Sequence, residues 1–218
     1  CYVFHYCVHA VKAQRFKSDS WSFIFHGGIP MVFPSLETER LLLTELQADD
    51  EQSIFTLFSS PAVVEYYDLE TFCEQRQATN LISLFKTRYE EKQGIRWAIR
   101  LKTTGQLIGT CGFNSWSSKM RNAVIGYDLL PEFWRQGYSF EAVHAIVKAG
   151  FSGVLACGEL HRIQADTVPG NDASELLLRK LGFKQEGLRR ECGFWKNKFH
   201  DLKCFALLRS EFEAVEQY

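Results

Sequence analysis

The chain has 218 residues, 46% of them hydrophobic and 14% aromatic, which suffices for one packed domain of ordinary size. Its 25 Lys and Arg balance 26 Asp and Glu at a formal net charge of -1, which excludes the strongly basic field of a general nucleic-acid binder but not a local basic patch. Seven cysteines with no Cys-x-x-Cys pair argue against a zinc site and suit a reduced, cytoplasmic setting, and no apolar run reaches the ~18 residues needed to span a bilayer.

Residues 1–30 are rich in aromatics (Tyr2, Phe4, Tyr6, Phe16, Trp21, Phe23, Phe25) and are broken by Gly27, Gly28 and Pro30. They lack the order of a signal peptide: basic start, apolar core, small residues at the cut. Met31 stands just before the first well-patterned segment. The expectation is a non-core extension over 1–30, translated from upstream of the natural start, and a single domain over 31–218.

From Glu37 the pattern is clean. Arg40 to Leu46 reads as a strand. Asp49, Asp50 and Glu51 suit the positive end of a helix whose apolar side is Ile54, Phe55, Leu57 and Phe58, and Pro61 interrupts it. Val63 to Tyr67 offers another helical turn. Ala78, Leu81, Ile82, Phe85 and Tyr89 recur at helical spacing, which predicts a helix over about 74–91 with Gly94 beyond its end. Ile95, Trp97, Ile99 and Leu101 alternate with Arg96, Arg100 and Lys102, the pattern of a half-buried strand. A turn at Thr103-Thr104-Gly105 leads to a second strand through Leu107, Gly109, Cys111 and Phe113. Ser115 to Asn122 reads as a loop, and Ala123 to Leu130 as the third strand of a meander.

That strand runs into Pro131-Glu132-Phe133-Trp134-Arg135-Gln136-Gly137-Tyr138-Ser139, a short basic loop opening a helix from Tyr138 to about Phe151. Unpaired N–H groups at a helix N-terminus carry partial positive charge and bind phosphate, and a glycine there admits close backbone approach. The stretch is either a diphosphate cradle or an ordinary strand–helix turn. Further on, Arg162 to Val168 reads as a strand and Pro169-Gly170 as a turn. Asn171 caps a helix carrying Leu177, Leu178 and Leu181, with Gly182 after it. Phe183 to Arg190 and Phe199 to Leu208 complete the chain as two strands.

The strings Thr38-Glu39-Arg40-Leu41-Leu42-Leu43, Ile125-Gly126-Tyr127-Asp128-Leu129, Pro131 to Tyr138, Glu141-Ala142 and His161 to Ala165, then Asn171-Asp172-Ala173-Ser174, Lys180-Leu181-Gly182-Phe183, Glu186-Gly187 and Asp201, occur in one order. In that order and spacing, over about 36–212, the chain resembles the GCN5-related N-acetyltransferases (GNAT). Within them it resembles the branch containing the bacterial ribosomal-protein N-terminal acetyltransferases. The resemblance implies an α/β (α+β) fold: a mixed, mostly antiparallel sheet with a splayed pair of strands, flanked by about four helices. It implies acetyl-coenzyme A as donor, no metal, and a primary amine as acceptor. The acceptor is a protein N-terminal amine or a small amine such as a polyamine or aminoglycoside, with no direct nucleic-acid or membrane partner. Monomer and homodimer both stay open.

The resemblance also assigns roles. Leu129 and Leu130 would hold the pantetheine arm through their backbone, and Arg135, Gln136, Gly137, Tyr138 and Ser139 would hold the diphosphate. Asn171 and Ser174 would lie beside the thiol, with Ser174 as hydrogen donor to the leaving sulfur or merely a helix-start residue. Many relatives carry a glutamate where this chain has Val124, so the base is left to Glu191, His200, Asp128 or a water chain, Asp128 alternatively orienting the amine. Val124 also keeps open a catalytically silent coenzyme A-binding module. Phe199 stands where tyrosine is frequent. Phe55, Tyr66 and Tyr67 either line the acceptor pocket or pack in the core.

Overall fold

The computed structural model describes residues 33–216, so the proposed extension over 1–30 lies outside the described residues. Eight strands form one sheet: β1 (Leu36–Glu37), β2 (Leu41–Glu45), β3 (Ile95–Leu101), β4 (Leu107–Ser117), β5 (Asn122–Leu129), β6 (Arg162–Thr167), β7 (Lys184–Trp195) and β8 (Lys198–Leu208), in the order β1-β2-β3-β4-β5-β6-β8-β7. Six helices flank it: α1 (Glu51–Phe58), α2 (Pro61–Val64), α3 (Gln75–Glu90), α4 (Tyr138–Ser152), α5 (Asp172–Lys180) and α6 (Arg209–Glu216). The sheet is antiparallel except for β5 against β6.

Two apolar clusters cover the two faces. Alternation along β5 sends Ala123, Ile125 and Leu129 to one face, where they meet Ala142, Val143, Ile146 and Val147 of α4. Val124 and, just past the strand, Leu130 turn to the other face, with Ile54 and Leu57 of α1 and Ala78, Leu81 and Phe85 of α3. Val143, Ile146 and Val147 are fully buried, each contributing about 1.5–3 kcal/mol by burial. α4 runs between two left-handed glycines, Gly137 at its start (φ 84°) and Gly153 at its end (φ 79°).

Four local expectations change. Pro61 does not merely interrupt helix; it takes the first turn of α2, where a missing N–H costs nothing. β4 continues to Ser117 and pairs with β5 down to Asn122, so the predicted loop over 115–122 shrinks to a tight turn. β1 and α6 carry too little periodic signal to be read from sequence, and β7 runs on to Trp195. Finally, β3 is buried on both faces through Ile99, so Arg96 does not sit on a solvent face as alternation implies.

Candidate acetyl-transfer site

β5 and β6 pair only through Asn122–Arg162, Ala123–Ile163 and Val124–Gln164. Beyond them the strands part, while each keeps its other neighbour: β5 stays on β4 to Leu129 and β6 stays on β8 to Thr167. The result is a V-shaped gap in the middle of the sheet. Leu130 donates its N–H to Ile108 O at 2.9 Å, on the β4 side. Ladder alternation therefore turns the N–H and C=O groups of Tyr127 and Leu129 toward the gap. Trp134 Nε1 donates to Leu129 O at 2.7 Å and ties the following loop to the strand end. Of the pair singled out in the sequence, Leu129 thus faces the gap, whereas the Leu130 N–H is engaged inside the sheet.

The loop at the wide end of the gap carries Arg135 and Gly137 in left-handed conformations, φ 60° and 84°. Arg135, Gln136 and Gly137 are exposed and Tyr138 and Ser139 half-buried, which leaves the first turn of α4 open to solvent. Phe133 packs under the loop against both clusters, and Trp134 is 43% exposed.

Arg40, in the turn just before β2, braces this loop. Its Nε and backbone N–H donate to the two carboxylate oxygens of Glu141 at 2.7 Å each, its Nη1 donates to Gln136 O at 3.0 Å, and the guanidinium lies 4.3 Å over the Tyr138 ring. Thr38 Oγ1 adds a 2.6 Å bond to Glu141. Burial pushes the Glu141 carboxyl up, but the donors from Thr38 and Arg40 outweigh it and hold the group below its ordinary range. Sequence reading noticed Arg40 and Glu141 as motif letters; their distance in the chain hid that they are partners.

Beyond the end of β6, Asn171 Oδ1 accepts the Ser174 N–H at 3.3 Å and caps α5. Ser174 is 6% exposed, and its Oγ lies 2.5 Å from the Tyr127 hydroxyl. That contact joins β5 to the helix after β6, across the opening between the strands. Burial pushes the Tyr127 phenol well up, the bond with Ser174 opposes this, and the nearby Asp128 charge adds to it. Tyr127 was absent from the sequence candidates. Its signal was alternation: it points to the opposite face of β5 from Asp128.

Asp128 faces the α1–α3 side, where Arg96 pairs with it; the side chains are 2% and 1% exposed. Thr110 Oγ1 donates to Asp128 at 3.0 Å and accepts from Arg96 Nε at 2.9 Å. Arg96 also donates to Asn114 Oδ1 at 3.0 Å and to the buried Tyr67 hydroxyl at 3.4 Å. Tyr67 is therefore core, and Phe55 is half-buried against the same cluster. Tyr66 instead reaches the rim and donates to Gly170 O at 3.1 Å, while Lys196, at the β7–β8 turn, donates to Val64 O at 2.7 Å. These bonds bring the α2 segment, the turn before α5 and the hairpin tip around one mouth.

Glu191 and His200 belong to that hairpin. Glu191 is exposed, adopts φ 50° in a β-bulge, and donates its N–H to Asp201 at 2.8 Å. His200 stacks on Trp195, ring centroids 3.9 Å apart and 4° from parallel, with Nε2 3.3 Å from the Trp195 carbonyl. The structure therefore separates the four catalytic candidates: Ser174 at the gap, Asp128 in a buried ion pair, and Glu191 and His200 on the hairpin. Val124, where a glutamate is frequent, is half-buried against the α1–α3 cluster. Among the described residues no cluster of three or more His, Cys, Asp or Glu could hold a metal, and no helix is long and apolar enough to cross a membrane.

Residues 40–184 match the family model of the acetyltransferase (GNAT) domain. The chain belongs to the GNAT acetyltransferase family. Among curated proteins it is 39% identical over 178 residues to the uncharacterized N-acetyltransferase YoaA of Bacillus subtilis, covering 82% of this chain and 98% of the other. A Vibrio cholerae spermidine N-acetyltransferase, solved with coenzyme A and spermine, superposes with a TM-score of 0.69 at 20% identity, over 81% of this chain and 99% of that one. A ribosomal L7/L12 α-N-protein acetyltransferase, solved with coenzyme A, superposes at 0.68 and 17% identity, over 78% and 95%. The GNAT sheet with its splayed strands is thus the fold expected from sequence, with six helices where about four were expected. The protein is an acetyltransferase enzyme of this family.

Proposed function

We propose that this acetyltransferase takes acetyl-coenzyme A as donor and a protein N-terminal amine as acceptor, as the ribosomal-protein branch of the family does. The residues present fit the donor. The gap presents the Leu129 backbone, and the exposed left-handed Gly137 leaves the start of α4 open to a diphosphate. Bound there, acetyl-coenzyme A supplies an activated acyl group. Leu129 would hold the pantetheine arm in extended form through its backbone. Arg135, Gln136, Gly137, Tyr138 and Ser139 would hold the diphosphate, with Asn171 and Ser174 at the thiol.

Transfer is by direct attack in a ternary complex. The C–N bond forms and the C–S bond breaks, its electron pair going to sulfur. Ser174 Oγ–H donates a hydrogen bond to that sulfur. The amine's proton passes to water, because Asp128 is held by Arg96, His200 is stacked on Trp195, and Glu191 lies exposed on the hairpin.

One observation favours a singly charged N-terminal amine over a polyamine. The buried carboxylates among the described residues are all ion-paired: Asp50 with Arg100, Asp128 with Arg96, and Glu175 with Arg179 and Lys203. None of them is left to hold a second ammonium in a desolvated site. Glu65, Asp68 and Glu70, just after α2, favour a polyamine as the second reading, Glu65 and Glu70 being exposed and Asp68 half-buried. A peptide with a free N-terminal Ala or Ser should be acetylated, and the same peptide with a blocked N-terminus and an internal lysine should not. Equal labelling of the two would overturn the N-terminal assignment. Coenzyme A binding without turnover on either peptide or on spermidine would favour a silent binding module. We further propose a cytoplasmic enzyme with its single domain over 31–218.

A further inference from the structure

We propose that Tyr127 is a positioning residue for Ser174: its hydroxyl donates to Ser174 Oγ and so aims the serine proton into the gap, where the leaving sulfur lies. The inference rests on the acetyl-coenzyme A reading above and deepens it. Three observations carry it. The two oxygens are 2.5 Å apart, as close as a hydrogen bond between hydroxyls comes. Both residues are fixed independently of each other. Tyr127 is held by β5 pairing to Cys111 and by packing against the α4-side cluster, and Ser174 by the Asn171 cap. And the contact bridges the two elements that border the gap, β5 and the helix after β6.

The direction of the bond follows from chemistry. A phenol is a stronger acid than an aliphatic alcohol, so it is the preferred donor of the pair. Burial keeps the phenol protonated through the neutral and mildly alkaline range. With its oxygen accepting from Tyr127, the serine does not spend its own hydrogen on the phenol and can turn it into the gap. A hydroxyl that accepts one bond is a better donor in the next, so the phenol strengthens the bond to sulfur as well as directing it. No proton need leave Tyr127: the sulfur takes the electron pair of the broken C–S bond, and Ser174 shares its hydrogen with it.

The test reads the sulfur directly and needs no acceptor. Coenzyme A and desulfo-coenzyme A, which lacks the sulfur, are titrated calorimetrically into the wild type, Tyr127→Phe, Ser174→Ala and the double variant between pH 7 and pH 9.5. If the hydroxyl pair stabilises thiolate, the wild-type ratio of coenzyme A to desulfo-coenzyme A affinity rises with pH, about tenfold for each pKa unit by which the bound thiol is lowered. Tyr127→Phe keeps the ring and its packing, so desulfo-coenzyme A affinity should stay unchanged while the rise flattens. Ser174→Ala should flatten it as fully, and the double variant no further, because the tyrosine acts through the serine. A full rise in Tyr127→Phe overturns the proposal. So does a full rise in Ser174→Ala, which decides the matter even where the phenylalanine variant folds poorly. A flat wild-type ratio overturns the inference and leaves acetyl transfer standing, whereas a wild type that binds neither ligand overturns the acetyl-coenzyme A reading itself.

Discussion

Arg96 and Asp128 form an ion pair whose side chains are 2% and 1% exposed, linking β3 to β5 beneath the α1–α3 layer. Asp128→Ala leaves the guanidinium buried without its counter-charge, which should cost about 3–5 kcal/mol, read as a lowered urea midpoint. Replacing both residues by apolar ones of similar volume should recover most of that loss. A double variant no more stable than Asp128→Ala would show that the pair is not what Asp128 contributes. Were Asp128 instead the amine's base or guide, the stable double variant would still lose activity in proportion to the single one.

Glu141 ties the start of α4 to the β1–β2 turn through Arg40 and Thr38, and its carboxyl is held below the ordinary range. A depressed carboxyl contributes stability above its unfolded pKa, ~4.3, and loses it as pH falls through the folded value. Glu141→Gln should therefore be less stable than wild type by about 1 kcal/mol at pH 7, a figure discounted for the partly exposed Arg40. The gap should narrow as pH falls below the unfolded value, ~4.3, and close once the wild-type carboxyl protonates in the folded state. Denaturant melts of both proteins between pH 7 and pH 3 check this; a gap unchanged down to pH 3 contradicts it.

Gly137 sits at φ 84°, and a Cβ built there would lie 3.3 Å from Arg40 Nη2. Gly137→Ala should cost about 1–2 kcal/mol for the left-handed backbone. It should also weaken coenzyme A about tenfold, equivalent to about 1.4 kcal/mol, by relaxing the loop or crowding its anion face. Calorimetric titration of coenzyme A measures it, and unchanged affinity would remove Gly137 from the cradle.

What the sequence could show divides along a physical line. Periodicity located β2, α3 and α4 because each buries one side of its own length, a local pattern, and alternation located β3 while misjudging its faces. The loop from Pro131 to Ser139 and the Asn171 cap were legible for the same reason, since strand end, glycine and cap are neighbours in the chain. Arg96 was misplaced because alternation assumes one wet face, and β3 has none. The Arg40–Glu141 brace and the Tyr127–Ser174 contact were invisible because each joins residues far apart in sequence through tertiary packing. Among the catalytic candidates, Ser174 and Asp128 stood inside motif strings that placed their backbone; Glu191 and His200 were read by residue type, which says nothing about where a hairpin carries them.

Acceptor choice is tested most directly by following thiol release from acetyl-coenzyme A with two acceptors at equal concentration, a short peptide beginning in Ala or Ser and spermidine. Acetylation of an N-terminal amine requires a kcat/KM at least about tenfold higher for the peptide, the equivalent of about 1.4 kcal/mol in transition-state binding. A preference for spermidine of the same size would contradict it and assign the exposed Glu65 and Glu70 to the acceptor site.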